Sequence, residues 1–118
     1  SGFEHKVSGE LTEAKIKFQY EVTVIPYIKP ETNHTYTIDF TLPNGILVET
    51  KGRWVLEDRK KHLLIQKQHP ELDIRMVFQN SKGKIRKGSK TTYADFCNKN
   101  NIIWADKSIP TSWYNEKT

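Results

Sequence analysis

Two acids and a lysine are concentrated in one short stretch: Asp39, Glu49 and Lys51 lie within TYTIDFTLPNGILVETKG, residues 35–52. Two strand-like runs there flank Pro43, Asn44 and Gly45, a turn signal. If the runs pair as a hairpin, the carboxylates meet across it. Like charges directly opposite destabilise a strand pair, and a divalent cation removes the repulsion. Mg²⁺ takes one or two carboxylates and completes its shell with water and phosphate oxygens. Lys51 shares a strand face with Glu49, because side chains repeat every second residue. There it can position or deprotonate a water, or neutralise charge on a phosphate. A Lewis acid, a bound water and a neighbouring cation are the parts of metal-assisted phosphodiester hydrolysis. The same three residues also fit a solvated sheet face on which Lys51 is simply the acids' salt-bridge partner.

The register decides whether the acids meet. A two-residue Asn44-Gly45 turn pairs Phe40 with Glu49. A three-residue Pro43-Asn44-Gly45 loop pairs Leu42 with Ile46, Phe40 with Val48 and Asp39 with Glu49. The second has sound turn chemistry, with proline first and glycine at the left-handed bulge position. It also sorts the faces: Ile38, Phe40, Leu42, Ile46 and Val48 on one, and Asp39, Thr41, Glu49 and Lys51 on the other, with Leu47 as an apolar exception. A slip by one residue mixes these sets. The three-residue loop is therefore expected, with the Asp39 and Glu49 Cβ atoms ~4.5–5.5 Å apart.

The surrounding elements must hold that hairpin. Phe3, Val7, Leu11 and Ala14 recur at helical spacing and predict an amphipathic helix over about residues 1–16. Alternation over 18–24 predicts a strand. Pro26 and Pro30 predict an extended connector over 25–34. After the hairpin, 56–69 reads as a helix with Glu57 and Asp58 in its first turn, ending before Pro70. Residues 73–78 read as a strand, with Ile74, Met76 and Phe78 on one face. SKGKIRKGSK, 81–90, is a basic loop punctuated by glycine. Residues 91–100 predict a short helix capped by Thr91 or Thr92, and 102–105 a last strand. The order predicts an α/β or α+β domain with a mixed sheet.

Composition bounds the partners. The 118 residues fit one domain, 1–118, and a hydrophobic fraction of 36% allows one modest core. No apolar run approaches ~18 residues, so no membrane span is expected. The opening SGFEHKVS has no apolar stretch of the kind a signal peptide needs. It also has no Met, so a trimmed chain is expected. Cys97 is the single cysteine, which excludes an intramolecular disulfide and a Cys-based zinc site and fits a reducing, cytosolic compartment. The net charge of +5 favours a polyanionic partner, nucleic acid first, although a merely soluble basic protein would carry it too.

NHTYTIDF, LPNGILVETKG, DRKKHLLIQKQHPELDIRMVF and ADKSIP, in that order along nearly the whole chain, resemble the bacteriophage endonuclease I family of the T-seven type. These are four-way (Holliday) junction resolvases of the PD-(D/E)xK nuclease superfamily. The resemblance implies a restriction-endonuclease-like mixed β-sheet flanked by helices, in an element-exchanged homodimer. Residues 25–34 would be the bridge, and each active site would draw on both chains. It implies Asp39, Glu49 and Lys51 as catalytic residues, with Glu4 as an additional acid on the first helix. One Mg²⁺ would be held by Asp39, Glu49 and the Thr50 carbonyl, and a second by Glu4 and Asp39, with Mn²⁺ able to substitute. The substrate would be branched double-stranded DNA, and the setting the cytoplasm of a bacterial host. Ile38 stands where the family usually has proline, which touches local geometry and supplies no chemistry. The family's basic C-terminal tail has no counterpart up to Thr118, so part of the DNA affinity is expected to lie outside this chain.

Basic residues supply candidate phosphate contacts. Arg59, Lys60 and Lys61 open the second helix, and Lys82, Lys84, Arg86, Lys87 and Lys90 crowd the glycine-punctuated loop. Such a set suits phosphate contact without base reading, as a shape-selective enzyme requires; it would also suit a solvated loop. His34 and His62 are further candidates near the phosphates. Tyr93, Trp104 and Trp113 read more simply as packing residues. Two other functions remain open on the residues alone. A sequence-specific restriction-type nuclease would need base-edge contacts in the major groove, for which no dedicated segment is evident. A non-catalytic DNA-binding module would not need the Asp39, Glu49 and Lys51 set.

Overall fold

The computed structural model describes residues 2–29 and 32–117. Helix α1 (Gly2–Glu13) opens the chain and buries Val7 and Leu11, as the helical spacing predicts. Burying each is worth about 2 kcal/mol. The helix ends at Lys15, which takes the left-handed conformation at φ 60°. The Ile16 amide then reaches back to the Leu11 carbonyl at 3.0 Å, a cap that satisfies one of the last helical acceptors.

The strand expected over 18–24 is interrupted. Strand β1 covers only Gln19–Tyr20, and β2 (Val24–Lys29) begins after a break. The break is Glu21, another non-glycine residue with positive φ, at 53°. Its amide donates to the Asp39 carbonyl at 3.0 Å. Strand β3 (Thr32–Thr37) runs antiparallel to β2 along its whole length. The described parts of the expected connector, 25–29 and 32–34, are thus extended, and in the single chain these two arms pair with each other. Pro26 is tolerated because this sheet has two strands and both are edges. Pro30, one of the two connector prolines, lies outside the described residues.

Strands β4 (Phe40–Thr41) and β5 (Leu47–Lys51) form the hairpin in the three-residue register: Phe40 pairs with Val48 and Thr41 with Leu47. Leu42 and Ile46 close the loop with a 2.9 Å hydrogen bond, and Gly45 sits at φ 90°. Helix α2 (Leu56–Gln68) crosses to β6 (Ile74–Phe78), which lies parallel to β5. Helix α3 (Tyr93–Lys99) starts in a capping box between Thr92 and Asp95 and leads to β7 (Trp104–Asp106), parallel to β6. A single helical turn, α4 (Thr111–Tyr114), was not foreseen. The result is a mixed α/β fold around a five-stranded sheet in the order β1-β4-β5-β6-β7.

Both faces of that sheet are covered. On one, α1 places Val7 and Leu11 against Phe40, Val48 and Val77, with Trp113 of α4. On the other, Leu47 packs with Ile65 of α2, and Met76 and Phe78 pack with Tyr93 and Cys97 of α3. Strand β5 is consequently buried from Leu47 to Thr50, as befits a central strand with a parallel neighbour. The expected polar face therefore needs correcting: Leu47 was the clue that a helix covers it. Ile38 also changes sides and joins Leu47 and Ile65, because the chain bends at Asp39 between β3 and β4. Among the described residues, no helix is long and apolar enough to cross a membrane.

Candidate active site

The hairpin brings Asp39 and Glu49 together, but not as two carboxylates facing each other. Regular pairing stops at Phe40. At the bend, the Asp39 amide donates to Glu49 Oε1 at 3.0 Å. Asp39 Oδ2 in turn accepts from the Thr50 amide at 2.9 Å and the Thr50 hydroxyl at 3.0 Å. Each acid is thus held by backbone of the opposite arm. Thr50, expected to contribute its carbonyl, enters here through its amide and hydroxyl. Glu49 also accepts a hydrogen bond from the Tyr36 hydroxyl and is only 3% exposed.

The repulsion acting on Asp39 comes from another quarter. Glu4, on the first turn of α1, and Glu21 bring carboxylate oxygens that lie with one of Asp39's within 4.8 Å of one another. Tyr20 donates its hydroxyl to Glu4. Burial first, and Glu4 second among the raising causes, push the Asp39 carboxyl up to about 6, against the hydrogen bonds from Thr50. Burial likewise pushes Glu49 up to about 7, against the Asp39 amide and the Lys51 and Lys61 charges. Lys51 does not bridge the two acids. Its Nζ lies 3.2 Å from Asp58 Oδ2 in the first turn of α2.

Hard carboxylate oxygens crowded together with raised proton affinity suit a divalent cation. Such an ion prefers oxygen ligands and supplies the positive charge that burial denies them. Asp39 and Glu49 would hold it, and Asp39 with Glu4 could hold another; Glu21 stands beside that second set.

The burial of Glu49 has a measurable consequence. The folded chain keeps its proton up to about pH 7, whereas the unfolded chain releases it near 4.5. The contribution of Glu49 to stability is thus greatest below pH 4.5 and is lost as pH rises through 7. In metal-free buffer at pH 8, Glu49→Gln should be more stable than the parent by up to about 3 kcal/mol. The difference should vanish near pH 4. Denaturant unfolding at both pH values checks this, and equal stabilities at pH 8 would contradict it.

The basic residues divide. Lys82, Lys84, Arg86, Lys87 and Lys90 are all exposed. Lys84, Arg86 and Lys87 line a groove of about 590 Å³ shared with Arg53, which the sequence reading overlooked. Lys60 and Lys61 line a cleft of about 700 Å³ beside Tyr27 and Lys29. His34 is exposed on β3, where it stacks on Tyr27 with 5.4 Å between ring centres. Arg59 is the departure: it is buried, and its guanidinium donates to the Trp54 carbonyl at 3.2 Å and the Ile85 carbonyl at 2.9 Å. It ties the basic loop to the body of the fold, at the wall of the groove that Arg53, Lys84, Arg86 and Lys87 line. His62 is buried against Trp54, and burial lowers its pKa to about 4. That keeps it neutral and away from phosphate.

Tyr36, Asp58 and Glu21 were not singled out from sequence. Tyr36 had no signal: alternation groups it with Ile38 on the face away from Glu49, and only the bend at Asp39 brings both against Leu47. Asp58 read as an ordinary first-turn acid. Glu21 had no signal, because its place depends on a left-handed backbone at a residue that rarely adopts one.

The family model for phage endonuclease I matches residues 1–118. The chain is 60% identical over 116 residues to "Endonuclease I" of Escherichia phage T7, spanning 98% of this chain and 78% of that protein. It is 57% identical over 116 residues to "Endodeoxyribonuclease 1" of Enterobacteria phage T3, spanning 98% of this chain and 76% of that protein. With the whole chain matched, this protein belongs to the phage endonuclease I family.

Proposed function

We propose that the protein is a Mg²⁺-dependent endodeoxyribonuclease that cuts opposed strands of four-way and other branched DNA junctions, leaving 5′-phosphate and 3′-hydroxyl ends. Mn²⁺ would substitute, and the enzyme would act in the cytoplasm of a bacterial host. One observation carries the reading: a buried acid, Glu49, and a half-buried one, Asp39, meet beside Lys51 at the end of a central strand, and burial raises the proton affinity of both. Perturbed carboxylates grouped with a lysine mark a site built for chemistry. The names of the two relatives support DNA as the substrate. Exposed cations at Arg53, Lys84, Arg86 and Lys87 support phosphate contact.

Bound Mg²⁺ would supply a Lewis acid for a phosphoryl oxygen and a water of lowered pKa. The chain's own residues do the rest. The Asp39 amide and Tyr36 hydroxyl orient Glu49, and the Thr50 amide and hydroxyl orient Asp39. The Lys51 ammonium, on the same strand as Glu49, would position the attacking water or take up charge on the phosphate. The test uses a four-way junction and a linear duplex of matched sequence, with Mg²⁺ or EDTA. Cutting of the junction alone, with Mg²⁺ alone, is expected. Equal cutting of the linear duplex would point to a restriction-type enzyme, and binding without cutting to a DNA-binding module.

The proposal extends to a homodimer that exchanges elements about residues 25–34. Glu4 and Glu21 reach Asp39 from the chain up to residue 29, as does Tyr20 through Glu4, and all other site residues lie after residue 31. Exchange of the β2–β3 pairing between two chains would let residues 2–29 of each serve the partner's site. Val22, Val24 and Ile28 along the same segment are exposed at 59%, 53% and 56%, which favours a covering partner. A two-fold dimer with two centres suits two cuts. In mixed dimers of Glu4→Gln and Lys51→Ala chains, exchange would place both lesions in one centre and leave the other intact. Such dimers should nick one strand without completing resolution. If nicking stays at the level of the single variants, the shared site is wrong while the nuclease assignment stands.

A further inference from the structure

Around Glu49 and Lys51 the side chains form a connected chain of contacts. The Tyr36 hydroxyl donates to Glu49. The Lys61 ammonium stands 4.7 Å from the centre of the Tyr36 ring. Lys61 is also 3.9 Å from Asp58 Oδ1, and Asp58 Oδ2 is 3.2 Å from the Lys51 ammonium. Lys51 lies two residues from Glu49 on the same strand, so the chain of contacts starts and ends at neighbouring positions of β5. All four contacts in it are attractive: carboxylate to hydroxyl, aromatic face to cation, cation to carboxylate, carboxylate to cation. The Asp58 and Lys51 side chains are 24% and 26% exposed, so the pair is partly shielded from solvent.

Resting on the nuclease reading above, we propose that Asp58 and Tyr36 are positioning residues of this centre, linked through Lys61. Asp58 acts on Lys51. A lysine on the same strand face as Glu49 and without another anion would fold back on that carboxylate. The resulting ion pair would compete with a divalent cation for the same oxygens. By taking the ammonium, Asp58 holds Lys51 extended and clear of Glu49. Tyr36 acts on Glu49: its hydroxyl and the Asp39 amide take one oxygen each and fix the plane of the carboxylate. Each carboxylate oxygen has a second acceptor direction, so fixing the plane leaves both able to meet an ion. Lys61 above the ring polarises the phenol toward better donation and shares Asp58 with Lys51. Groups of this kind, one contact removed from the reacting atoms, typically cost about 10–100-fold in activity or metal affinity when lost.

The test separates positioning from mere support of the fold. Single-turnover cleavage of a four-way junction in Mg²⁺ is measured for the parent, Asp58→Asn, Lys51→Ala and the double variant. Asp58→Asn should slow cleavage by about 10–100-fold with little change in junction affinity, and Asp58→Glu should recover part of the loss. In the Lys51→Ala background the same change should cost about nothing, because the group it positions is gone. Separately, calorimetric titration of the DNA-free protein with Mn²⁺ should show Tyr36→Phe binding about tenfold more weakly. An Asp58→Asn loss of equal size in both backgrounds, no loss at all, or unchanged Mn²⁺ binding by Tyr36→Phe would overturn the proposal. If Lys51→Ala itself cuts like the parent, the nuclease centre falls and this inference with it. Loss in Lys51→Ala without loss in Asp58→Asn removes the positioning role only.

Discussion

Asp39→Asn and Glu49→Gln should each abolish junction cleavage in Mg²⁺, while junction binding should persist or strengthen. Both substitutions keep the shape of the side chain and an acceptor oxygen. The amide oxygen introduced at position 39 can still accept from the Thr50 amide and hydroxyl, and the one introduced at position 49 from the Asp39 amide. The fold therefore survives, and what is lost is the negative charge that would hold a cation. An ion at such a site contributes several kcal/mol to stabilising the transition state, so a loss of about 10³-fold or more is expected. Binding should be spared, because the proposed phosphate contacts, exposed cations such as Lys84, Arg86 and Lys87, line a separate groove. Removing a negative charge beside a polyanion also favours association. Parent-like cutting by either variant, measured under single-turnover conditions, would sink the metal-centre reading.

Lys51→Ala should slow cleavage by roughly 10²–10⁴, the range of a positioned group acting on a proton or on developing charge. The loss falls on the rate at saturation, because the ammonium sits at the centre and not on the exposed basic loop. Thermal unfolding should change little. The side chain is a quarter exposed, and its partner Asp58 keeps the second cation Lys61 nearby. Normal cutting by this variant would return Lys51 to the role of a surface salt-bridge partner. The contrast with Asp39→Asn is itself informative: residual activity belongs to a variant that keeps both acids.

The hairpin was legible because several local signals agreed. Pro43, Asn44 and Gly45 suit a three-residue loop, and the apolar set Phe40, Leu42, Ile46 and Val48 selects that register over the two-residue alternative. The capped helix at Thr92 and the helices opening at Gly2 and Leu56 were legible for similar reasons. The breaks were not. Lys15 and Glu21 adopt positive φ without being glycine, a choice made by tertiary contacts. The bend at Asp39 moves Ile38 to the other face of the sheet, and nothing in strict alternation foretells a bend. The site shows the same division. Asp39, Glu49 and Lys51 follow from spacing along one hairpin. Glu4 came only from resemblance, because a glutamate on a first helical turn is ordinary. Asp58, Tyr36 and Glu21 depend on how α2, β3 and the β1–β2 break pack around the hairpin. Arg59 and His62 show the converse: a cation and an imidazole on a helix read as surface groups, yet Trp54 and Phe96 draw them into the core.

The claim that these acids hold the reactive cation has one direct measurement. Crystals of the protein are equilibrated with Mn²⁺, and diffraction is recorded at a wavelength where manganese scatters anomalously. The account predicts a peak at ~2.1 Å from a carboxylate oxygen of Asp39 and one of Glu49, and its loss in Glu49→Gln. Manganese bound only at other carboxylates, or the same peak persisting in Glu49→Gln, would contradict it.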